Sequence, residues 1–600
     1  MNASSIFEGS RARSNSRFDF QWPDDEPSHA YDNFFFGLWH PNQPVHVEWT
    51  QSPARSCLHY QGPNWFLASA ASPFHQSTRG LVHREAESSF AVGFRGYVLP
   101  HLHSNSSSSD ILEYWRSRTY NEHNGVFSTA IVSPSGDTLT LVTDALGIGS
   151  LYYRTCGDAV LFSTSPRYLS MSHDQPDLIA WRSLLQTSWI LGDRTLSLDI
   201  KRVPAGNTIC FSSQGERSVP WFNFDRLPDG ATPAGRTAIG DVEDAFQQAV
   251  ARCLALRLDS HVLPLSSGFD SRRILTGLMK HNADFQAITS RVFQKEYRDL
   301  DATFARAMAE KFGFRHTIVE AQKIEEYVSD DHARCLLVGG ETGEHTWAIR
   351  LMAALPNKPS MLFDGIGGDI LGDPVGWNVH IGLQVTPSSP EEDIESIAQA
   401  SMTNILDSTL RRNHWPAIED LREDLTSYLR QYIPRRNIAE LAFLLLRQRR
   451  TIALWSQQLL PPGHLAVYPY FDLDYLRLLL SFTAGDKHAI KFQRATLREF
   501  WPEFYQYPGN RDIPPALPPG SPQLYQDRAL RCYLTMIEDM TPQGGVRFLR
   551  TLLAKKGRLI FDCSAWSRSM AVRNLWRFHH LAELVWRETL SKPCWKILET

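Results

Sequence analysis

The sequence predicts an α/β protein: a β-rich α+β region leads into a doubly wound domain with a parallel sheet, whose C-terminal part is helical. Three patterns predict it. Residues from about 30 to 215 carry short β-type runs separated by turn residues. From residue 241 onward, strand-like and helix-like segments alternate, as βαβ units require. Residues 390–600 are mainly helical in pattern, interrupted by the proline-rich stretch Ile513–Gly520.

Taken in order, residues 1–25 read as a flexible N-terminus, because Arg11, Arg13 and Arg17 stand among serines without the apolar core of a signal peptide. Residues 26–225 read as one domain. The runs Val126–Val132 and Thr138–Thr143 flank the turn Ser133-Pro-Ser-Gly-Asp and predict a hairpin. Leu151–Arg154 and Ala159–Ser163 repeat that pattern around Cys156-Gly-Asp, and the serine-rich run Ser104–Ser109 reads as a loop. Residues 226–240, with Leu227-Pro-Asp-Gly-Ala-Thr-Pro-Ala-Gly, read as a linker. Residues 241–520 form the second domain, opening on a periodic helix from Asp241 and continuing through strands at His261, Phe285 and His316. Residues 521–600 read as a helical C-terminal extension.

Composition removes several function classes. A net charge of −4 gives no reason to expect nucleic acid. Cys57, Cys156, Cys210, Cys253, Cys335, Cys532, Cys563 and Cys594 are scattered with no Cys-X-X-Cys pair, which argues against structural zinc and a disulfide framework and fits a cytoplasmic protein. No apolar run is long enough to cross a membrane.

Two segments carry chemistry. In His261-Val-Leu-Pro-Leu-Ser-Ser-Gly-Phe-Asp-Ser-Arg a short apolar strand stops at a small polar turn, and a helix follows. Unpaired backbone N–H groups and the positive dipole end converge there, so the turn Ser266, Ser267, Gly268, Phe269, Asp270, Ser271 is a candidate anion cradle. Ser266 and Ser271 add hydroxyl donors, and Asp270 is of a type to hold a divalent cation against phosphate oxygens. The loop is not a Walker A loop, which ends in Gly-Lys-Ser/Thr. In Leu362-Phe-Asp-Gly-Ile-Gly-Gly-Asp-Ile-Leu-Gly-Asp, a second strand end runs into a turn with Gly365, Gly367 and Gly368, where Asp364, Asp369 and Asp373 supply carboxylates.

The pair resembles the two ATP loops of the asparagine synthetase-like superfamily, which includes β-lactam synthetases and lasso peptide cyclases. The resemblance implies a PP-loop ATP pyrophosphatase domain that splits ATP into AMP and pyrophosphate, with Asp270 and Asp369 holding Mg²⁺. It extends to Lys491-Phe-Gln-Arg-Ala-Thr-Leu-Arg-Glu-Phe-Trp, similar to a later lysine-bearing helix of the family, and to Tyr468-Pro-Tyr-Phe-Asp. Asn124-Gly-Val-Phe, Thr143-Asp-Ala-Leu-Gly-Ile-Gly and Arg202-Val-Pro-Ala-Gly resemble the Ntn-type, glutamine-hydrolysing domain of asparagine synthetases. Leu444-Leu-Leu-Arg-Gln-Arg-Arg-Thr-Ile-Ala is similar to an arginine-rich helix of lasso cyclases.

Departures narrow the choice within that family. Glutamine hydrolysis there needs an N-terminal cysteine, and residue 2 is Asn2, so the first domain is expected to be a degenerate glutaminase. Ile366 stands where family members carry a Glu or a Tyr, and it cannot take a proton. An α-amine, with a pKa of about 8, is roughly one-tenth free base at neutral pH and needs little help. The expectation is therefore macrolactam formation, with a precursor peptide's Asp or Glu side chain adenylated and then attacked by its own N-terminal amine. A leader-peptide-binding protein and a protease are the partners this implies. The alternatives are an amide-forming enzyme of the superfamily acting on a small molecule, and a non-catalytic binding subunit. Ser267 replaces a family glycine and would be strained if that position needs a positive φ. A late family lysine is absent from Asn510-Arg-Asp-Ile, leaving Arg511 as the candidate cation. Glu341, Glu344 and His345 are candidates for substrate binding or proton transfer, or else for helix capping. Thr289 and Ser290 end a strand beside the first loop and are candidates to meet adenosine. Trp347, Trp377 and Trp455 would line a peptide cavity or fill the core.

Overall fold

The computed structural model describes residues 17–21, 33–49, 57–70, 81–117, 123–171, 173–187, 189–291, 300–320, 324–342, 345, 347–373, 390–401, 416–432, 437–507 and 595–598. Arg511, Glu344, Trp377 and almost all of the expected C-terminal extension lie outside these residues.

Two antiparallel sheets form the N-terminal domain. One runs Gly215–Pro220, Asn207–Ser212, Leu139–Thr143, Gly125–Val132, Ala91–Val98, Val82–Arg84. The other runs Lys201–Arg202, Tyr152–Cys156, Ala159–Ser163, Phe35–Trp39, Trp65–Ala70, Cys57–Gln61. Both expected hairpins are present, Leu139 pairing with Val132 and Cys156 with Ala159. The sheets face each other, and Phe35, Trp39, Trp65 and Leu67 of one pack on Val132, Leu141, Ile209 and Phe211 of the other. Helix Ser108–Arg116 covers the outer face of the first sheet through Ile111 and Trp115. The serine run expected as a loop starts this helix: Ser107 is its N-cap, accepting from the Asp110 N–H at 3.2 Å. Helix Leu178–Thr187 lies on the other sheet, with Trp181 and Leu184 in one cluster with Phe36 and Leu161.

The described part of the start expected to be flexible is a strand. Arg17–Phe20 is a strand lying between His46–Trp49, to which it runs parallel, and Trp595–Leu598, to which it runs antiparallel. Phe18 and Phe20 are buried, and the Trp595 ring packs 4.9 Å from Phe20. The last described segment is thus a strand, not a helix. The 226–240 segment is also less loose than a linker: Leu227 is buried, the Pro228 carbonyl accepts from Asn437, and the following helix opens at Ala238.

The second domain is built on a five-stranded parallel sheet in the order Arg315–Val319, Phe285–Ser290, His261–Pro264, Met361–Phe363, Leu465–Val467. In chain order these are strands three, two, one, four and five. The order reverses between His261–Pro264 and Met361–Phe363, and a crevice opens beyond the carboxyl ends of strands at such a switch point. Both glycine-bearing loops leave these two strands. Helices Ala238–Leu254, Phe269–Lys280 and Leu473–Ser481 cover the sheet with Phe246, Ile274, Leu275 and Leu476 in one large core. Among the described residues no helix is long and apolar enough to cross a membrane, and the five described cysteines are all free.

Candidate nucleotide site

A cleft at the switch point is lined by Ser266, Ser267, Gly268, Phe269, Asp270, Asp369, Asp373, Lys491, Gln493 and Arg494. It encloses about 760 Å³, counting its open mouth. The sequence-predicted loop residues therefore converge with Asp369 and Lys491, and they bring Asp373, Gln493 and Arg494 with them.

The first loop is held from behind. Gly268 is the N-cap of the twelve-residue helix Phe269–Lys280, in extended conformation at φ −67° and ψ 152°. Its N–H donates to Ser266 Oγ at 3.2 Å, and Ser271 Oγ accepts from the Ser266 N–H at 3.1 Å. Ser267 does not adopt a left-handed φ, so no strain arises there. It is fully buried, and both its N–H and its hydroxyl donate to Asp301 Oδ1, at 2.8 and 2.7 Å. A serine here thus ties the loop to the start of helix Leu300–Phe312, a bond that glycine could make only through its backbone. Arg272 completes the support, donating to the Ser267 carbonyl at 2.6 Å while its guanidinium stacks on Phe269 and Phe304.

The second loop needs its glycines for close approach. Gly367 has φ +90° and caps the short helix Gly368–Gly372. A Cβ on Gly368 would lie 2.5 Å from Asp270 Oδ1, so the second loop closes directly on the carboxylate of the first. Gly365 faces the Cβ of Asp270 in the same way, at 3.4 Å. Tyr470, on the segment after the fifth strand, donates to the Asp270 carbonyl at 2.9 Å, and Gln493 donates to the Gly368 carbonyl. Asp364 sits behind the loop, fully inside. It accepts from Ser456 Oγ at 2.8 Å and from the Ile366 N–H at 3.2 Å, and burial pushes its pKa up to about 7. Ile366 is buried in the domain core.

Lys491 closes the cleft from the opposite side. It ends helix Ala484–Ile490 and begins helix Phe492–Phe500, with φ 57° and ψ 68°, and it is one of only four non-glycine residues with positive φ among those described. One left-handed residue between two helices turns the chain and puts Lys491 and Arg494 at the cleft. The Arg494 guanidinium lies 4.6 Å over the Phe269 ring.

The fit of the donor set to ATP and a divalent cation can be judged from chemistry. Asp270 and Asp369 offer carboxylate oxygens from two loops, the helix at Gly268 offers N–H groups, and Lys491 and Arg494 offer cations. Among the described residues no group of three or more His, Cys, Asp or Glu is placed to hold a metal ion. Two carboxylates with the remaining shell filled by water and phosphate oxygens is the manner in which Mg²⁺ is usually held. The residues fit both groups.

Other sequence candidates fall elsewhere. Thr289 is buried behind the first loop, its hydroxyl donating to the Leu265 carbonyl at 2.7 Å, and it does not line the cleft. Glu341 is 1% exposed and away from the cleft. It accepts from Tyr152 OH at 2.6 Å and pairs with Arg450 at 3.0 Å, which joins the two domains. A proton-transfer role for Glu341 at the cleft is thus not where its side chain is. Trp455 is buried and packs on Trp347 at 5.2 Å, which makes it core. The arginine-rich segment Leu444–Ile452 is a π-helix. Arg449 donates to Gly147, Val203 and Asp193, and Arg450 to Gly192, Arg194 and Glu341, so both clamp the N-terminal domain. Gln493 was missed as a site residue, although it lies within the segment that supplied Lys491; Asp373 of the second turn and Arg494 of the lysine-bearing helix also line the cleft.

Comparison with known proteins follows this division. The model described as a glutamine amidotransferase domain matches residues 103–222, and that described as asparagine synthase matches residues 241–371. No curated protein matches the chain. Among solved structures, the glutamine phosphoribosylpyrophosphate amidotransferase from B. subtilis is 10% identical over 56% of this chain and 77% of its own, at a TM-score of 0.20. A structure titled as the allosteric regulatory enzyme of purine biosynthesis is 9% identical over 48% and 80%, at 0.21. The U34-tRNA thiolase NcsA from Methanococcus maripaludis is 11% identical over 58% and 78%, at 0.20. TM-scores this low do not establish a shared fold.

Proposed function

We propose, from the premise that this is an asparagine synthetase-like, ATP-dependent ligase, as its two domain matches support, that it closes a macrolactam in a precursor peptide. The observation that carries the proposal is the single cleft in which the first loop, Asp270, Asp369 and Lys491 meet while Ile366 is turned into the core. That cleft has the parts for activating a carboxylate on ATP but not the base at position 366 that a poorly nucleophilic nitrogen would need.

In this reading the triphosphate lies on Ser266–Ser271, and a side-chain carboxylate of the peptide attacks the α-phosphorus. Pyrophosphate leaves toward the helix N-terminus at Gly268 and toward Lys491 and Arg494, whose charges offset the charge it carries away. Asp270 and Asp369 would hold Mg²⁺, which neutralises phosphate charge as the bond breaks. The peptide's α-amine then attacks the acyl-adenylate and AMP departs. The protein contributes chiefly proximity, holding tail and ring carbonyl together. A leader-binding protein and a protease would act before it.

Mass spectrometry of synthetic peptides, each with a free N-terminus and one internal Asp or Glu, tests this in the presence of ATP and Mg²⁺. The expected product has lost one water, with one AMP formed per ring. ATP turnover on small carboxylic acids with no dehydrated peptide would refute it.

A further inference from the structure

A free α-amine attacks without prior deprotonation, but the nitrogen must still lose one proton as the amide forms, and Ile366 cannot accept it. An alternative stands beside one of the carboxylates that line the cleft. Asp373 lines the cleft at the end of the short helix Gly368–Gly372. His488 lies on helix Ala484–Ile490, three residues before Lys491, with its Nδ1 3.7 Å from Asp373 Oδ1. Both of these atoms are buried, and neither has a hydrogen-bond partner among the described residues. The His488 side chain as a whole is 41% exposed, so one ring nitrogen faces a carboxylate while the rest of the ring remains reachable.

We infer that His488 is the base of the acyl-transfer step and that Asp373 positions it. The inference rests on the macrolactam reading above. As the amine nitrogen bonds to the acyl carbon, the carbon–oxygen bond to AMP breaks and AMP leaves with the electron pair. The proton from nitrogen passes to His488 and then to solvent. Asp373 orients the ring through Nδ1 and stabilises the imidazolium that forms, as a carboxylate beside a catalytic imidazole does. The separation is longer than a hydrogen bond, which is common before substrate closes such a pair. Other charges around His488 are already committed or face the phosphates. On its own helix Asp486 accepts from Thr483 and the Ala234 N–H, and Lys487 is buried against Glu440. Asp270, Asp369, Lys491 and Arg494 line the nucleotide cleft.

The test uses the full chain with ATP, Mg²⁺ and the peptides described above, with and without hydroxylamine. Hydroxylamine is a nucleophile that needs no enzymic base and intercepts the acyl-adenylate as a hydroxamate. His488→Gln is expected to lose 10²- to 10⁴-fold in dehydrated peptide yet to form hydroxamate and pyrophosphate at the wild-type rate. Asp373→Asn is expected to lower cyclisation in the same way, with hydroxamate formation unchanged. Two results overturn the assignment: cyclisation by His488→Gln at the wild-type rate, or an equal fall in hydroxamate, which would put His488 in adenylation or folding. Wild-type protein that releases no pyrophosphate with any peptide would overturn the macrolactam reading itself, and this assignment with it.

Discussion

Replacing Gly368 by alanine tests the closure of the two loops on each other. The added Cβ would lie 2.5 Å from Asp270 Oδ1, 2.7 Å from its Cγ and 2.8 Å from Tyr470 Cζ, where ordinary contact begins near 3.4 Å. Tyr470 has little freedom to retreat. It is fully buried, its hydroxyl donates to the Asp270 carbonyl at 2.9 Å, and its ring packs 4.8 Å from Phe246. The Asp270 carboxylate must therefore shift by roughly 0.9 Å, away from the place where it would meet the cation. Such overpacking costs about 1–3 kcal/mol of stability, which a chain of this size tolerates. Losing one well-placed charged contact costs about 1.5–3 kcal/mol of binding, or roughly a 10- to 150-fold rise in Kd. Calorimetric titration with ATP in Mg²⁺ and in EDTA separates the effects. The variant should lose affinity in Mg²⁺ and differ little from wild type in EDTA. A folded Gly368→Ala protein that binds ATP in Mg²⁺ as tightly as wild type would refute the reasoning.

Two further outcomes follow from the same geometry. Lys491→Gly removes the amine from the cleft but suits the left-handed backbone at φ 57°. Relief of about 1–2 kcal/mol of strain equals or exceeds glycine's entropy cost of roughly 0.5–1 kcal/mol. Thermal stability should thus hold or rise slightly while peptide-dependent pyrophosphate release collapses, and parallel losses in both would contradict this. Arg450→Met leaves Glu341 buried with Tyr152 as its remaining partner, which should cost about 3–5 kcal/mol in denaturant titration. Adding Glu341→Leu should recover part of that loss, and no recovery would show that the pair is not the dominant link.

Much of the site was legible because its chemistry is local. Strand, small turn and helix start are contiguous in Pro264–Arg272 and again in Met361–Asp373, so sequence spacing alone placed Asp270 and Asp369 at strand ends. Their meeting depends on strand order, which the alternation of elements suggested but only the pairing of His261 with Met361 establishes. What escaped is non-local. The strain considered at Ser267 does not arise because its φ is not left-handed, and Asp301, thirty-four residues on, accepts both of its hydrogen bonds. Glu341 looked like a site residue because a carboxylate in a glycine-rich turn is ordinarily exposed, yet Tyr152 and Arg450 from distant segments bury it. The run from Leu444 resembles an arginine-rich helix, but nothing in its sequence shows that Arg449 and Arg450 are fully buried and spend their donors mainly on carbonyls of the other domain. A sequence shows which side chains carry charge, but not which carbonyls will be waiting for them.

The pairing of Arg17–Phe20 with Trp595–Leu598 also bears on the order of events during synthesis. The first strand can align beside His46–Trp49 as soon as that segment has left the ribosome. Its other edge must wait for more than five hundred further residues before Trp595 arrives to cover Phe20 and Phe36. Through that interval the nascent domain carries an open strand edge beside aromatic rings, the kind of surface that invites pairing with the wrong chain. The N-terminal sandwich is thus begun first and finished last, and final closure of the first domain reports that the second has been made.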